Sequence, residues 1–539
     1  MAFTTLAFFC FTSILTILYF ALPIRKYQWV ILLIGSYVFY FFAGIKIALF
    51  MVSTTLTTYG AARLIEGRNL KTKAIIREHK EAWSRKEKKA FREKRKKYGR
   101  RIMVAALLFN FGILFMLKYY GFLAVSVNGL LDGGGLPVFK FILPLGISFY
   151  TFQSMGYLID VYRGDVEAES NVARFALFVS FFPQILQGPI SPYDQLAHQL
   201  YEPHKAEYKR FKFGLELILW GLFKKLVIAD RATAVIAVLR EGMDPAAPNG
   251  TTVTIVILLF SLQIYADFSA GIDIARGVAQ LLGIDIIQNF RQPYFSISLT
   301  DYWNRWHISL GAWMRNYVFY PLALSDAAGA ITGKIGDSAF GKSKAGKHIA
   351  TVLPGALASL VVFLIIGIWH GAEWKYIWFG IWNGVVIMAA ILTAPLLDKL
   401  NVALHIDPQS FRHRVFRIIR TFILVCIGYY FDVSDTATQA FLYLRQTFTA
   451  QDLSQAITTI AGLTHYQMLD IGLLCIMAVL MFVVGVLRER RPDVPLRERI
   501  GQRSALFQWI LLFIFIMTLL VLGLYGPGYD PQDFVYMQF

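Results

Sequence analysis

The sequence predicts an all-α polytopic membrane protein, and two features carry that reading. The chain of 539 residues is 56% hydrophobic, with a mean hydropathy of +0.51. A soluble domain sits near about 45–50% apolar. Runs of roughly 20 apolar residues, or the cores of such runs, recur from end to end, and a run of that length crosses a bilayer as a helix. Without water at that depth to satisfy backbone amides, helices are the spanning element expected of such runs.

In chain order the runs are 3–22, 27–64, 104–125, 253–264, 349–368, 376–392, 416–430, 471–487 and 507–524. Run 3–22 lacks the basic start and small-residue cleavage site of a signal peptide and reads as a retained first span. Run 27–64 is long enough for one span or two. By a ~19-residue hydropathy window the whole chain holds about ten to thirteen spans. Cys10, Cys426 and Cys475 all lie inside apolar runs. They lack metal-site spacing and predict buried thiols with no structural disulfide.

Charge sets the expected sidedness. The formal net charge is +18, and residues 63–101 hold 17 Lys/Arg against 5 Glu, a net +12. Such a block could bind nucleic acid. Between spans it instead marks the cytoplasmic side, where it can rest on anionic lipid headgroups at about 1 kcal/mol per basic residue. Segments 126–136, 243–252, 450–465 and the tail 526–539 carry no Lys or Arg. They are expected outside, and the C-terminus with them. No internal repeat or low-complexity tract is visible. Residues 1–539 read as one membrane-embedded domain with a basic, helical, cytoplasmic loop at 63–101.

Four polar islands interrupt this apolar chain. Charge at membrane depth costs about 2.5–3.5 kcal/mol per residue, so it usually faces a cavity or marks function. "LPLGISFYTFQSMGYLIDVYRGD" (143–165) carries Gln153 in mid-run, with Asp160 and Arg163 near its end; the last two can simply cap a span. "FVSFFPQILQGPISPYDQL" (178–196) has Pro183, Gly188, Pro189 and Pro192 to break a long helix. Broken backbone must be buried in protein or line a cavity, with Gln184 and Gln187 as polar partners. "YADFSAGIDIARGVAQLLGIDIIQNFRQPYF" (265–295) brings Asp267, and Asp273 and Arg276 at i, i+3, able to pair on one face.

The fourth island, "DYWNRWHISLGAWMRNYVFYPL" (301–322), is the densest, with three Trp, two Arg, two Asn and one His. As one helix it would put Trp303, His307, Leu310, Gly311 and Met314 on a single face. Gly311 would admit a close neighbour. An interfacial aromatic belt accounts for Trp303 and Trp306; it accounts less well for Arg305, His307 and Arg315 beside them. Of nine histidines, seven sit in polar or basic loops. Only His307 and His370, the latter in "LIIGIWHGAEWKYIWFGIWNG" (364–384) directly after Trp369, lie among aromatic and apolar residues. A neutral imidazole in such a setting can take a proton from a hydroxyl nucleophile, worth typically 10²–10⁴ in rate. A metal centre would need further ligands that the surroundings do not supply.

Together "WNRWHISLGAWMRNYVFYPL" and the later "WHG" resemble the membrane-bound O-acyltransferases. More narrowly they are similar to the bacterial branch that serves alginate O-acetylation and D-alanyl transfer to teichoic acid. The resemblance extends through "LPLGISFYTFQSMGYLIDVYRGD", "FFPQILQGPISPYDQL" and "YADFSAGIDIARGVAQLLGI", a core of about 143–382. It implies a ring of tilted transmembrane helices around a central funnel and tunnel in a bacterial cell membrane. It implies His370 as the catalytic residue, His307 beside it, and a pore lined by Trp303, Asn304, Arg305, Trp306, Gly311, Arg315, Trp369, Gln153, Gln184, Gln187 and Asp267. No bound cofactor or metal is expected.

The acyl donor, acetyl-CoA or a similar thioester, would be a cytoplasmic substrate, its acyl group passing across the membrane to a cell-surface or exopolysaccharide glycan. An extracytoplasmic SGNH-type acetyltransferase or polysaccharide assembly proteins would be partners. The tail "DFVYMQF" (533–539) and the spans beyond Asp398 favour the acetylating branch over D-alanyl transfer. Asp432 and the segment "QGPISPYDQL" both depart from the alginate-type pattern, which often has Arg there, so the acceptor stays open. A transporter or channel would also line a pore with polar groups, but the inverted repeat typical of transporters is not visible. A lipid-binding scaffold built on the basic loop leaves His370 unexplained.

Overall fold

The computed structural model describes residues 3–21, 23–131, 135–139 and 141–526. The described residues are helical throughout, apart from turns, extended linkers and one isolated bridge between Phe290 and Trp306. Seven helices are long and apolar enough to cross a membrane: Ile45–Glu78, Arg85–Lys118, Gly250–Leu281, Lys344–His370, Trp374–Ala403, His465–Glu489 and Ala505–Leu522. That is fewer than the ten to thirteen spans the hydropathy count gives, for local reasons. Run 3–22 becomes a helix of 16 residues, Leu6–Ala21. Run 104–125 divides at Tyr119 into Arg85–Lys118 and Tyr120–Leu130. Run 416–430 belongs to Phe411–Val433, which also carries Arg412, Arg414, Arg417 and Arg420. Run 27–64 resolves into two helices, Gln28–Phe41 and Ile45–Glu78, parted at Gly44 with φ 129°.

The outward faces stay apolar. Leu506, Phe513 and Val521 of Ala505–Leu522 are exposed, a cost in water that acyl chains remove. Cys10 and Cys475 lie on such faces, contrary to the expectation of buried thiols, and only Cys426 is buried. The tail 533–539 lies outside the described residues.

The described chain divides into two compact units. The first holds Met1–Ile218 and Ala275–Ile287. Its basic block, 63–101, falls on the ends of two helices with a break between them at 79–84. Ile45–Glu78 and Arg85–Lys118 pack together, and the second helix starts in a capping box in which Ser84 and Glu87 satisfy each other's backbone amides. The Pro- and Gly-rich segment 178–196 breaks into Val172–Ser180, Phe182–Gln187 and Tyr193–Tyr201. Gly146 allows its return to pack: it sits at φ 67°, and a Cβ there would lie 2.3 Å from the Ile185 carbonyl oxygen.

The second unit holds Leu219–Ile274 and Gln288–Phe539. Its Lys344–His370 and Trp374–Ala403 form a tight hairpin. A Cβ on Gly367 would come within 2.3 Å of the Tyr376 carbonyl oxygen, and one on Gly380 within 2.5 Å of that of Phe363. Small residues let helix backbones approach this closely. The hairpin leaves His370 as the last helical residue before its turn.

Candidate active site

The dense stretch 301–322 is not one helix. It runs Leu299–Trp303, a turn, Ile308–Met314, a wide π-turn Arg315–Phe319 and Tyr320–Ala323. The single helical face expected for Trp303, His307 and Gly311 therefore does not form. The cause is competition for backbone hydrogen bonds. Segment 289–291 runs alongside 305–308: Arg291 N donates to Arg305 O (2.9 Å) and Ile308 N to Asn289 O (3.0 Å). At the end of this pairing His307 takes φ 48°, a region sparsely populated by residues with a Cβ and often seen at functional sites.

Asn289 fixes the His307 ring. Its Oδ1 accepts from Ser309 N (2.8 Å), which orients the amide and turns Nδ2 toward His307 Nδ1 at 3.2 Å. A neutral His307 thus accepts at Nδ1 and carries its hydrogen on Nε2. Asn289 is fully buried and His307 is 1% exposed. The ring lies edge-on to Phe268 (4.9 Å between centroids) and against Trp369 (5.7 Å). Trp369 in turn lies 5.1 Å from His370, whose ring meets Phe379 at 5.4 Å. One indole therefore touches two buried imidazoles that lie 63 positions apart in the sequence.

His370 opens into a pocket of about 400 Å³, counting its open mouth, walled by Tyr302, Trp303, Trp306, Phe379, Asn383 and Tyr429, with Ile264, Val425 and Asp432 completing it. Trp303 Nε1 donates to Asn383 Oδ1 (3.0 Å) and Asn383 Nδ2 to Phe379 O (2.9 Å). Trp303 and Trp306 line this pocket. The other named residues are elsewhere. Asn304 and Arg315 are exposed. Arg305 bridges Asp301 and Glu489, each at 2.9 Å. Gly311 packs under the Trp303 carbonyl, 3.4 Å from where a Cβ would sit.

Asp267 is buried with Lys225 Nζ at 2.8 Å, and the same Nζ is 2.9 Å from Asp230. Beside it Lys224 holds Asp273 at 2.8 Å. Both lysines ride a π-turn, Lys224–Ala229. Gln153, Gln184 and Gln187 belong to the first unit. There Gln184 Nε2 donates to Pro189 O (3.0 Å) and Gln153 Nε2 to Phe178 O (3.2 Å). Gln187 is buried with no hydrogen bond to its amide among the described residues.

Sequence reasoning gave no role in the site to Asn289, Asn383, Tyr302, Tyr429 or either lysine. Asn383 and Tyr302 sit inside stretches already singled out; the lysines had a signal, adjacent charges in an apolar run. Among the described residues no three His, Cys, Asp or Glu side chains gather to hold a metal ion.

Residues 168–332 match the model of the membrane-bound O-acyltransferase family. The chain is 30% identical over 410 residues to the probable alginate O-acetylase AlgI of Pseudomonas syringae pv. tomato, covering 75% of this chain and 67% of the relative. It is 27% identical over 530 residues to the probable alginate O-acetylase AlgI of Pseudomonas putida, covering 96% and 95%. It is 30% identical over 318 residues to the peptidoglycan O-acetyltransferase of Helicobacter pylori, covering 54% and 55%.

Proposed function

We propose, from the premise that the chain belongs to the membrane-bound O-acyltransferase family and is a multi-pass membrane O-acyltransferase, that it acetylates hydroxyls of a cell-surface or exported glycan. The observation that supports this reading is the contact of both His307 and His370 with Trp369, with His370 on the wall of an aromatic pocket. Named relatives acetylate alginate or peptidoglycan, and the acetyl group is the acyl unit most consistent with them.

His370 is the general base. Its imidazole removes the proton of an acceptor hydroxyl as the oxygen attacks the thioester carbonyl. The carbon–sulfur bond breaks, the acyl oxygen ester forms, and the thiolate leaves with a proton. A positioned base contributes typically 10²–10⁴ in rate. His307 is a positioning residue whose Nε2–H donates toward the reacting groups, and Trp303 and Trp306 wall the acceptor. The donor is an acetyl thioester such as acetyl-CoA, delivered from the cytoplasm, where the basic block 63–101 rests on anionic headgroups. An extracytoplasmic SGNH-type acetyltransferase or polysaccharide assembly protein is the partner on the far side of the membrane.

The test is His370→Ala in the producing cell. Ester content of the surface glycan should fall to background while the protein still accumulates in the membrane. Normal ester content would overturn the assignment, and D-alanyl in place of acetyl esters, read by mass spectrometry, would change the acyl group.

A further inference from the structure

The pocket beside His370 has a polarity of its own. Tyr294 Oη donates to Ser261 O (2.5 Å), and a carbonyl has no hydrogen to return. The Tyr294–Tyr429 contact (3.0 Å) must then use the Tyr429 hydrogen, and the Tyr429–Tyr302 contact (2.9 Å) the Tyr302 hydrogen. Each phenol has one hydrogen, so the direction of the whole relay is set by Ser261. Tyr302, on the pocket wall, gives its proton inward and meets a ligand as an acceptor. The Trp303 N–H is likewise directed to Asn383.

Asp432 adds a carboxylate to the same wall. It is the penultimate residue of Phe411–Val433, and among the described residues its carboxylate takes no hydrogen bond. Burial pushes its carboxyl up to about 7, against the opposing charge of Lys375, whose Nζ donates instead to Ser434 O (2.9 Å) and lies 3.6 Å from Glu373. A carboxylate turned into a pocket without a donor is costly unless a ligand supplies one. The remaining surface is largely aromatic: Tyr302, Trp303, Trp306, Phe379 and Tyr429. Flat apolar faces with acceptors at their edge suit a pyranose, whose C–H faces stack on rings and whose hydroxyls donate outward. They suit an ammonium too, by charge and by ring quadrupole. They repel a uronate.

We infer that this pocket is the acceptor subsite, that Asp432 is its specificity-determining residue, and that it takes a neutral or amine-bearing sugar and rejects a carboxylated one. The inference rests on the acceptor-acetylation reading above and narrows its substrate class. Asp432 binds the acceptor; it does not move the acyl group.

Binding is measured on the full-length protein in lipid nanodiscs by tryptophan fluorescence, since Trp303 and Trp306 line the pocket. The probes are three short oligosaccharides: an uncharged glucose oligomer, a glucosamine oligomer and a galacturonate oligomer. The wild type should bind the first two saturably and the third at least roughly 10-fold more weakly. Asp432→Asn, which keeps the shape, should weaken the glucose oligomer about 10-fold or more, the effect of losing a hydrogen bond to a charged group. It should also erase any preference for glucosamine, with an unchanged unfolding temperature. Asp432→Arg should reverse the order in favour of galacturonate. Equal wild-type affinity for the galacturonate and glucose oligomers, unchanged affinities in Asp432→Asn, or no saturable binding of any probe overturns the inference. The assay needs no turnover. Its failure beside ester-free His370→Ala cells would remove the acceptor specificity and leave acyl transfer standing.

Discussion

Replacing Asn289 by Asp tests whether the His307 tautomer matters to the chemistry. The native amide accepts from Ser309 N at 2.8 Å and presents Nδ2 to His307 Nδ1 at 3.2 Å. A carboxylate keeps the first contact but turns an acceptor toward Nδ1, so the ring must place its hydrogen there. A neutral imidazole then loses the Nε2 hydrogen. Asn289→Ala removes both contacts. It leaves a buried backbone donor without that acceptor, at about 1–3 kcal/mol, and one further lost hydrogen bond at about 1 kcal/mol. Asn289→Ala should therefore cost roughly 2–4 kcal/mol of stability, and Asn289→Asp, which keeps both contacts but buries a carboxylate, should also unfold below the wild-type temperature. In Asn289→Asp, kcat for ester formation should drop roughly 10²-fold, the lower end of what positioned proton transfer contributes, with KM little changed and an altered pH–rate profile. The assay is acetyl transfer by purified protein in lipid nanodiscs, beside thermal unfolding of the same samples. If Asn289→Asp retains wild-type kcat and pH profile, the Asn289-held tautomer has no part in the reaction.

Lys225→Met should destabilise the fold by about 3–5 kcal/mol, the cost of leaving a buried ion cluster without one partner, because Asp267 and Asp230 both meet its Nζ. Adding Asp267→Asn and Asp230→Asn should recover part of the loss in the unfolding temperature. Gly371→Ala should lower acyl transfer sharply, since the new Cβ would lie 2.2 Å from the Tyr376 ring beside His370; wild-type activity would show that the turn yields freely. For sidedness, single cysteines at Ser84 and Ala247, in a variant with the three native cysteines replaced, should differ toward an impermeant maleimide in intact cells. Position 247 should label and position 84 should not, and the reverse pattern inverts the direction of acyl transfer.

Apolar content and run length alone determined the membrane class and its helices, because burying a backbone in lipid leaves the chain one local solution. Pro183, Gly188, Pro189 and Pro192 marked a helix break for the same local reason: ring geometry and missing amides act within a few residues. The two histidines stood out by the company of their immediate neighbours. Tertiary structure decided the rest. The stretch 301–322 has helical spacing, yet it turns at His307 because segment 289–291 offers its backbone instead, and spacing along one segment carries no record of that rival. Arg305 was expected in the pore and sits between Asp301 and Glu489, the latter 184 positions away. Lys225 meets Asp267 across 42 positions, and the acceptor-lined wall is assembled from Tyr302, Asn383, Tyr429 and Asp432 on three separate helices. Hydrogen bonds and ion pairs between distant segments depend on where packing brings the helices, and only the folded chain sets those distances.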